Sequence, residues 1–362
     1  MAAKWTAANW AAARPVIVAP MAGGVSTPEL VLAAVRAGAL GFLAAGYKSA
    51  GAMRAQIDQL AAGTDKPFGV NVFVPGAPAP DPSALAGYLG TLSADAIRLG
   101  TTLSEAAWDD DGWEAKLADL VARPVPIVSF TFGCPPAEVV EALHGAGNGT
   151  SSGAGRRSGS DVWVTVTNPD EATRAAEAGA DCLVVQGAEA GGHRGTFFNH
   201  EQSGQDARPG ASDRTTGLLA AVRAVTDLPL VAAGGIMTAG GVAAARATGA
   251  VAVSCGTAFL RCPESGANPA HKAALADPLF ERTAVTRAFS GRPARGLVNT
   301  FMREHADAPP AYPEINNATR PLRAAAAAAG DVHRMSLWAG EGYRQATTRP
   351  TAEVVELLCG GS

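Results

Sequence analysis

The chain has 362 residues, of which 47% are hydrophobic and 17% are charged, which is enough to bury the core of one large unit. Its formal net charge is −4 and its 29 Lys and Arg residues are scattered, so nucleic acid is not an expected partner. Because no run is long and apolar enough to span a membrane and the first residues lack a signal-peptide core, we expect a cytoplasmic protein without a membrane partner.

Cysteine and histidine spacing gives no indication of a metal site or of a disulfide framework. The five cysteines occur singly and the six histidines show no i, i+4 pairing, whereas zinc sites and disulfide frameworks need regularly spaced sets. Cys182 and Cys255 lie within apolar runs, and we expect them to be small core residues. We therefore predict no bound metal.

Short β-type runs alternate along the chain with alanine-rich segments of helical period, which is typical of a parallel sheet with crossover helices. Thr27 and Asn168 each precede a proline and are predicted to cap helices, and Gly38, Gly179 and Gly249 are predicted to end them. Eight β-type runs predict an α/β fold with a closed (β/α)8 TIM barrel. A doubly wound open sheet would show the same pattern of helix caps and glycine stops and is the alternative. The predicted strands are 16–19, 40–44, 68–73, 126–130, 162–167, 182–185, 230–233 and 251–254.

Two stretches interrupt this repeat. Residues 76–114 form a segment that is too long for a simple crossover between the third and fourth strands. Residues 261–335 form a second segment, after the eighth strand. We predict that both belong to a smaller, mainly helical substrate or lid region over the barrel mouth. Residues 145–160 are rich in Gly and Ser and are predicted to be a flexible insertion without a catalytic role, on the face away from the chemistry. The barrel itself is assigned to residues 1–75, 115–260 and 336–362.

The most informative segment is residues 181–195, where a buried-type strand leads into a glycine-rich loop. Gly191 and Gly192 let the backbone approach a flat ligand without side-chain obstruction, and His193 follows them directly. Chemistry in (β/α)8 barrels takes place where the strands end. We therefore predict a ligand site at this loop, with a surface turn carrying an incidental histidine as the alternative.

A phosphate site is predicted at the ends of the seventh and eighth strands. Gly234 and Gly235 follow one strand, and Ser254-Cys255-Gly256-Thr257 ends the other. These residues offer backbone N–H groups, hydroxyls and a helix N-terminus to an anion, at the usual phosphate position of the fold; glycines that only pack helix against strand are the alternative. The Walker phosphate loop and the Gly-x-Gly-x-x-Gly turn are missing from the sequence, so we predict a mononucleotide such as FMN.

Six segments together form a family pattern: Ala19-Pro-Met-Ala-Gly-Gly24, Lys66-Pro-Phe-Gly-Val-Asn71-Val-Phe73, Gln186 to Gly195, Ala232-Ala-Gly-Gly-Ile236, Gly256-Thr-Ala-Phe-Leu260 and Leu337-Trp-Ala-Gly340. With this pattern the chain resembles the class I nitronate monooxygenases, formerly called 2-nitropropane dioxygenases. The resemblance covers nearly the whole chain. It departs from the family at Glu341, where the family commonly has Gln after Trp-Ala-Gly, and at the 145–160 insertion.

The resemblance implies FMN as the cofactor and implies a role for individual residues. His193 is the implied catalytic histidine, and Arg194, Trp338, Ala339 and Gly340 are implied to lie beside the substrate or the flavin ring. The implied FMN contacts are Ala19, Pro20, Met21, Ala22, Asn71, Gln186, Gly191, Gly192, Gly234, Gly235, Ser254, Cys255, Gly256 and Thr257.

The reaction implied by the resemblance is the oxidative denitrification of alkyl nitronates, with propionate 3-nitronate as the expected substrate, or of nitroalkanes. O2 is the co-substrate, and a carbonyl compound and nitrite are the products. His193 could act as a base that removes the α-proton of a nitroalkane, or as an electrostatic stabiliser. The sequence leaves both roles open.

Two other functions remain open from the sequence. An FMN-dependent enoyl-ACP reductase shares the barrel and a similar Glu-Ala-Gly-Gly-His loop, although the long segment after the eighth strand and Trp338-Ala-Gly340 favour the monooxygenase. A non-catalytic flavin- or phosphate-binding module is the second alternative. The sequence also leaves a homodimer open.

Overall fold

Eight parallel strands close into a barrel in the computed structural model, which describes residues 15–146, 159–199 and 210–361. In order around the barrel they are β1 (Val16–Val18), β2 (Leu40–Ala44), β3 (Gly69–Phe73), β4 (Ile127–Thr131), β5 (Asp161–Val166), β6 (Cys182–Gln186), β8 (Leu230–Ala233) and β9 (Ala252–Cys255). Because β9 pairs with β1, this sheet has no free edge. The predicted (β/α)8 barrel is confirmed, and each predicted strand agrees with the structure to within one residue at either end.

Apolar side chains fill the barrel interior. One buried cluster draws residues from most of the barrel strands, and within it Phe42 on β2 lies against Trp163 on β5 with ring centroids 5.5 Å apart. Strands that are not neighbours can meet in this way only inside the barrel. Burial of each ring stabilises the fold by roughly 2–3 kcal/mol. Cys182 belongs to the same cluster and Cys255 is also buried, as the sequence predicts.

Helices between the strands cover the outside of the barrel. The Thr27 hydroxyl accepts a hydrogen bond from the first turn of α1, Asn168 does the same for α7, and Gly38 follows α1 with a φ of 82° that side chains rarely adopt. These helices are α1 (Pro28–Arg36), α2 (Ala50–Gly63), α5 (Trp113–Ala122), α6 (Ala137–Gly145), α7 (Pro169–Glu177), α8 (Thr215–Arg223), α9 (Ala239–Ala247) and α14 (Thr351–Leu358).

The two stretches that interrupt the repeat are in contact with each other. Tyr88 on α3 (Pro82–Thr91) and Leu92, between α3 and α4 (Ser93–Arg98), share one buried cluster with Phe289 and Phe301 from the stretch after β9. This shared core joins segments about 200 positions apart. The helices of the two stretches are α3 (Pro82–Thr91), α4 (Ser93–Arg98), α10 (Pro269–Ala274), α11 (Thr300–Glu304), α12 (Glu314–Ala318) and α13 (Arg320–Ala329).

A small antiparallel sheet accompanies these helices, although the sequence analysis predicts a mainly helical region there and names no strand in it. Strands β10 (Thr283–Thr286) and β11 (Ala294–Leu297) form a hairpin, and β11 also pairs with β7 (Gly192–His193). Four-residue strands carry too little alternation to be recognised, and β7 exists only through pairing with a distant segment. The backbone of His193 is thereby fixed opposite Ala294.

The Gly- and Ser-rich insertion lies mostly outside the described residues, since 147–158 are not among them. Its described ends are Gly145, which ends α6, and Ser160, which immediately precedes β5. Within the described ranges, no helix is both long and apolar enough to cross a membrane.

Candidate active site

A cavity of about 580 Å³ opens where the barrel strands end. Barrel loops form part of its wall, and residues from α10, α12, α13 and the segment after α13 form the rest. His193, Trp338 and Gly340 line the cavity. So do all fourteen residues implied as cofactor contacts: Ala19, Pro20, Met21, Ala22, Asn71, Gln186, Gly191, Gly192, Gly234, Gly235, Ser254, Cys255, Gly256 and Thr257.

Two residues implied to lie beside the ring do not line the cavity. The Arg194 guanidinium donates to the carbonyl oxygen of Gln186 at 3.0 Å, and burial lowers the pKa of this side chain. Ala339 is fully buried, and its N–H donates to the carbonyl of Arg295 at 3.2 Å. Both residues therefore support the cavity wall from behind.

Two amide side chains hold the strand ends in place. Gln186 donates through Nε2 to the His193 carbonyl at 3.1 Å and accepts from Gly195 N at 2.8 Å, so its amide fixes the histidine loop to β6. Asn71 donates through Nδ2 to the hydroxyls of Ser129 and Thr131, each at 3.0 Å. Within the described residues no donor reaches the Oδ1 of Asn71, which leaves an acceptor at the cavity wall.

Free backbone donors lie at the last two strand ends. The N–H groups of Gly235, Gly256 and Thr257 donate no hydrogen bond within the part of the chain that the structure describes. Only a three-residue 3-10 turn, Thr257–Phe259, follows β9, so the helix N-terminus expected there is replaced by loop N–H groups. N–H groups at a cavity wall that have no acceptor of their own can bind an anion, and together these three suit one.

Backbone approaches backbone closely at the glycine loop. A side-chain carbon added at Gly191 would lie 2.4 Å from the nitrogen of Gly340, so only glycine allows this contact. The Gly340 N–H also donates to Thr257 Oγ1 at 3.0 Å. The segment around Gly340 therefore joins the loop after β6 to the loop after β9.

His193 is held in an aromatic cage. Its Nε2 lies 2.8 Å from Ser290 Oγ, and the centroid of its ring lies 5.8 Å from that of Phe132, 5.9 Å from that of Tyr312 and 5.4 Å from that of Trp338. Burial, followed by the charges of Arg292 and Arg323, lowers the pKa of His193 to about 3. The imidazole is therefore neutral near pH 7.

Two guanidinium groups beside this histidine have no carboxylate partner among the described residues. Arg292 donates to the carbonyls of Arg194 and Thr196 and lies 4.1 Å above the Phe132 ring. Arg323 lines the cavity and donates to Asn316 O at 2.8 Å. Carbonyl oxygens solvate these charges without neutralising them, so this side of the cavity is electropositive.

Sequence reasoning misses several of these residues. Tyr47 and Phe132 follow β2 and β4 with φ of 65° and 78°, values that are uncommon for residues other than glycine. Their positions shortly after predicted strands could have identified Tyr47 and Phe132 as site residues, although no hydrophobic periodicity distinguishes them. Ser290, Arg292, Tyr312 and Arg323 come from the stretch after β9, where the sequence carries no local motif.

One group of metal-ligating side chains lies among the described residues. Asp95, Glu304 and His305 bring ligand atoms within 4.8 Å of one another. However, Arg334 donates to Asp95 and lies 3.4 Å from Glu304. The arginine supplies the positive charge that a cation would otherwise bring, so this group is an ion-pair network in which Asp95, His305 and Arg334 are buried and Glu304 is exposed.

The fold and the cavity are those of a (β/α)8-barrel oxidoreductase. A family model described as nitronate monooxygenase matches residues 6–361. The chain belongs to the nitronate monooxygenase family, as the resemblance in its sequence predicts.

Individual relatives agree with this assignment. A nitronate monooxygenase of Pseudomonas aeruginosa is 40% identical over 95% of both chains, and a probable nitronate monooxygenase of Bacillus subtilis is 35% identical over 96% of this chain and 95% of its own. The solved structure of a nitroalkane oxidase from Streptomyces ansochromogenes is 47% identical, with a TM-score of 0.87 over 98% of this chain and 97% of that one. FabK from Thermotoga maritima is more distant, at 26% identity and a TM-score of 0.65 over 95% and 91% of the two chains.

Proposed function

We propose that this protein is an FMN-dependent nitronate monooxygenase that converts alkyl nitronates and O2 to carbonyl compounds and nitrite. The observation that carries the proposal is the charge of the cavity, where Arg292 and Arg323 flank a neutral His193 and have no carboxylate partner among the described residues. Buried cations without counter-charges favour an anionic ligand. Nitronates are anions, and propionate 3-nitronate, the substrate implied by resemblance, carries two negative groups.

The cavity residues fit FMN. The free N–H groups of Gly235, Gly256 and Thr257 would hold its phosphate, and the unbonded Asn71 oxygen would accept from a ring N–H. A single phosphate cradle without a dinucleotide turn favours FMN over FAD. Bound FMN would supply the redox chemistry between the nitronate and O2.

Arg323 and Tyr47 supply substrate binding. Arg323 and the Tyr47 hydroxyl both line the cavity, and Tyr312 donates its own hydroxyl proton to Tyr47 at 3.2 Å. The Tyr47 proton is therefore available to a ligand. An anionic oxygen placed between this proton and the Arg323 guanidinium would gain charge-assisted hydrogen bonds away from bulk water.

His193 contributes as a neutral group. When the Ser290 hydroxyl donates to the Arg292 carbonyl, 3.2 Å away, Nε2 of His193 donates to Ser290 and Nδ1 keeps its lone pair. A pKa near 3 lies far below the value that suits a base at neutral pH. The electrostatics therefore favour preformed nitronates over neutral nitroalkanes, which must first lose a proton.

Cofactor analysis and parallel assays test this function. We expect the purified protein to be yellow, to release FMN on heating, and to consume O2 and form nitrite with propionate 3-nitronate. Steady NADH oxidation with an enoyl thioester, without nitronate turnover, would instead support an enoyl-ACP reductase. Full FMN occupancy without turnover of any nitronate would support a non-catalytic flavin-binding module, and release of FAD would refute the assigned cofactor.

A further inference from the structure

Four charged side chains connect the loop after β6 with residues 337–342, which we call the closing segment. The Glu341 carboxylate lies 3.0 Å from Arg214 and 3.6 Å from Arg295. Arg214 in turn lies 3.5 Å from Glu189, on the loop after β6. Positive and negative groups thus alternate along one network beside the cavity.

Arg295 is the member of this network that most needs a counter-charge. Its side chain is buried, and its Nε donates to the carbonyl of Ala188 at 2.9 Å. Among the described residues, only Glu341 brings a carboxylate within ion-pair distance of Arg295. Burial lowers the pKa of Arg295, and the charge of Glu341 is the largest opposing effect. Without that negative charge, the buried Arg295 would keep only the weaker compensation of the Glu189 carboxylate.

The backbone of the closing segment makes contacts to the same loop. Glu341 N–H donates to the Glu189 carbonyl at 3.1 Å, and Gly340 packs against Gly191 and donates to Thr257. Trp338, two residues earlier, lies against the His193 ring. The closing segment therefore touches both the glycine loop and the histidine.

We propose that Glu341 is a positioning residue whose negative charge holds the closing segment against the glycine loop and thereby retains the cofactor. A glutamine, which the family commonly has here, fills the same volume but provides no counter-charge for Arg295. The inference rests on the proposed function only in taking FMN as the ligand of this loop.

The test measures FMN release from the holoenzyme after dilution, followed by flavin fluorescence. We expect Glu341→Gln to release FMN about tenfold faster, because an ion pair that compensates a buried charge is lost. Glu341→Asp, which restores the charge, should stay within about threefold of the parent. Glu353→Gln is the matched control: Glu353 lies on α14 in an exposed ion pair with Arg349, and this variant should release FMN at the parent rate.

Salt gives a second readout of the same network. Arg214 is half exposed, so high salt should screen the network, speed FMN release from the parent and reduce its advantage over Glu341→Gln. Equal release from the parent and Glu341→Gln would overturn the inference, as would equally fast release from Glu341→Gln and Glu341→Asp. A parent protein that binds no FMN would instead refute the proposed function.

Discussion

The Nε2 atom of His193 lies 2.8 Å from the Oγ atom of Ser290, although the two residues are 97 positions apart. Ser290 is held by its own loop, since it donates to the Arg292 carbonyl at 3.2 Å and accepts from Arg292 N at 3.3 Å. Pairing of β7 with β11 fixes the histidine backbone in the same region. The stretch after β9 therefore determines both the position and the hydrogen bonding of a histidine in the loop after β6.

Ser290→Ala should impair the reaction without loosening the cofactor. The substitution removes the partner of Nε2, so the imidazole loses its fixed orientation, and we expect kcat for nitroalkanes to fall about tenfold. Steady-state kinetics and FMN content of the purified variant provide the measurement. Ser160→Ala, which changes a buried serine next to β5, is the control. Unchanged kcat in Ser290→Ala would refute the orienting role.

His193→Asn should separate the two roles that the sequence leaves open. If the imidazole removes a proton, nitroalkane turnover should fall by about 10²–10⁴-fold, while turnover of the matching nitronate should fall less because its proton is already gone. FMN content should be unchanged. Assays of the nitroalkane and nitronate forms of one compound distinguish the two roles. An equal loss of turnover on both forms would eliminate the base role, and parent-like turnover on both would eliminate any catalytic role.

Arg323→Met should weaken substrate binding. A hydrogen bond to a charged group contributes roughly 1.5–3 kcal/mol, so the KM for propionate 3-nitronate should rise roughly 10- to 100-fold. Arg320→Gln is the control, because this arginine also lines the cavity but is exposed, and its KM should rise no more than about threefold. A larger effect at Arg320 than at Arg323 would place the anion elsewhere in the cavity.

Acid should destabilise the protein through His193. Its pKa is about 3 in the folded chain but about 6.5 when unfolded, so the unfolded state binds the proton first as the pH falls. The stability that the neutral imidazole contributes is present above about pH 6.5 and is lost toward pH 3, by up to about 1.4 kcal/mol per pH unit. Thermal denaturation between about pH 7 and pH 4 should show a steeper fall in the parent than in His193→Asn; parallel curves would contradict the assignment.

Gly235→Ala should reduce FMN affinity. A methyl group there would lie 2.9 Å from the Glu189 side chain, at a φ of 68°, beside the proposed phosphate cradle. Gly330→Ala is matched in backbone conformation, with a φ of 65° and open space around the added carbon. Each substitution should cost about 1–2 kcal/mol of stability, but only Gly235→Ala should raise the FMN dissociation constant. An equal FMN affinity in the two variants would show that the phosphate does not bind at Gly235.

The barrel and much of the cavity wall could be predicted from the sequence because their signals are local. Apolar runs, helix caps and glycine stops define the strands, and the strand ends then bring distant residues such as Asn71 and Gly235 together. The network around His193 has no such signal. Ser290, Arg292 and Arg323 reach it through a hairpin and helices whose placement depends on tertiary packing.

Anaerobic mixing of the purified yellow protein with propionate 3-nitronate tests the central claim most directly. We predict that the flavin absorbance bleaches rapidly, that O2 then restores it, and that nitrite appears in proportion to the nitronate consumed. The matching neutral nitroalkane should bleach the flavin far more slowly, since His193 is a weak base in this cavity. A flavin that remains oxidised with the nitronate, or that bleaches equally fast with the nitroalkane, would contradict the account.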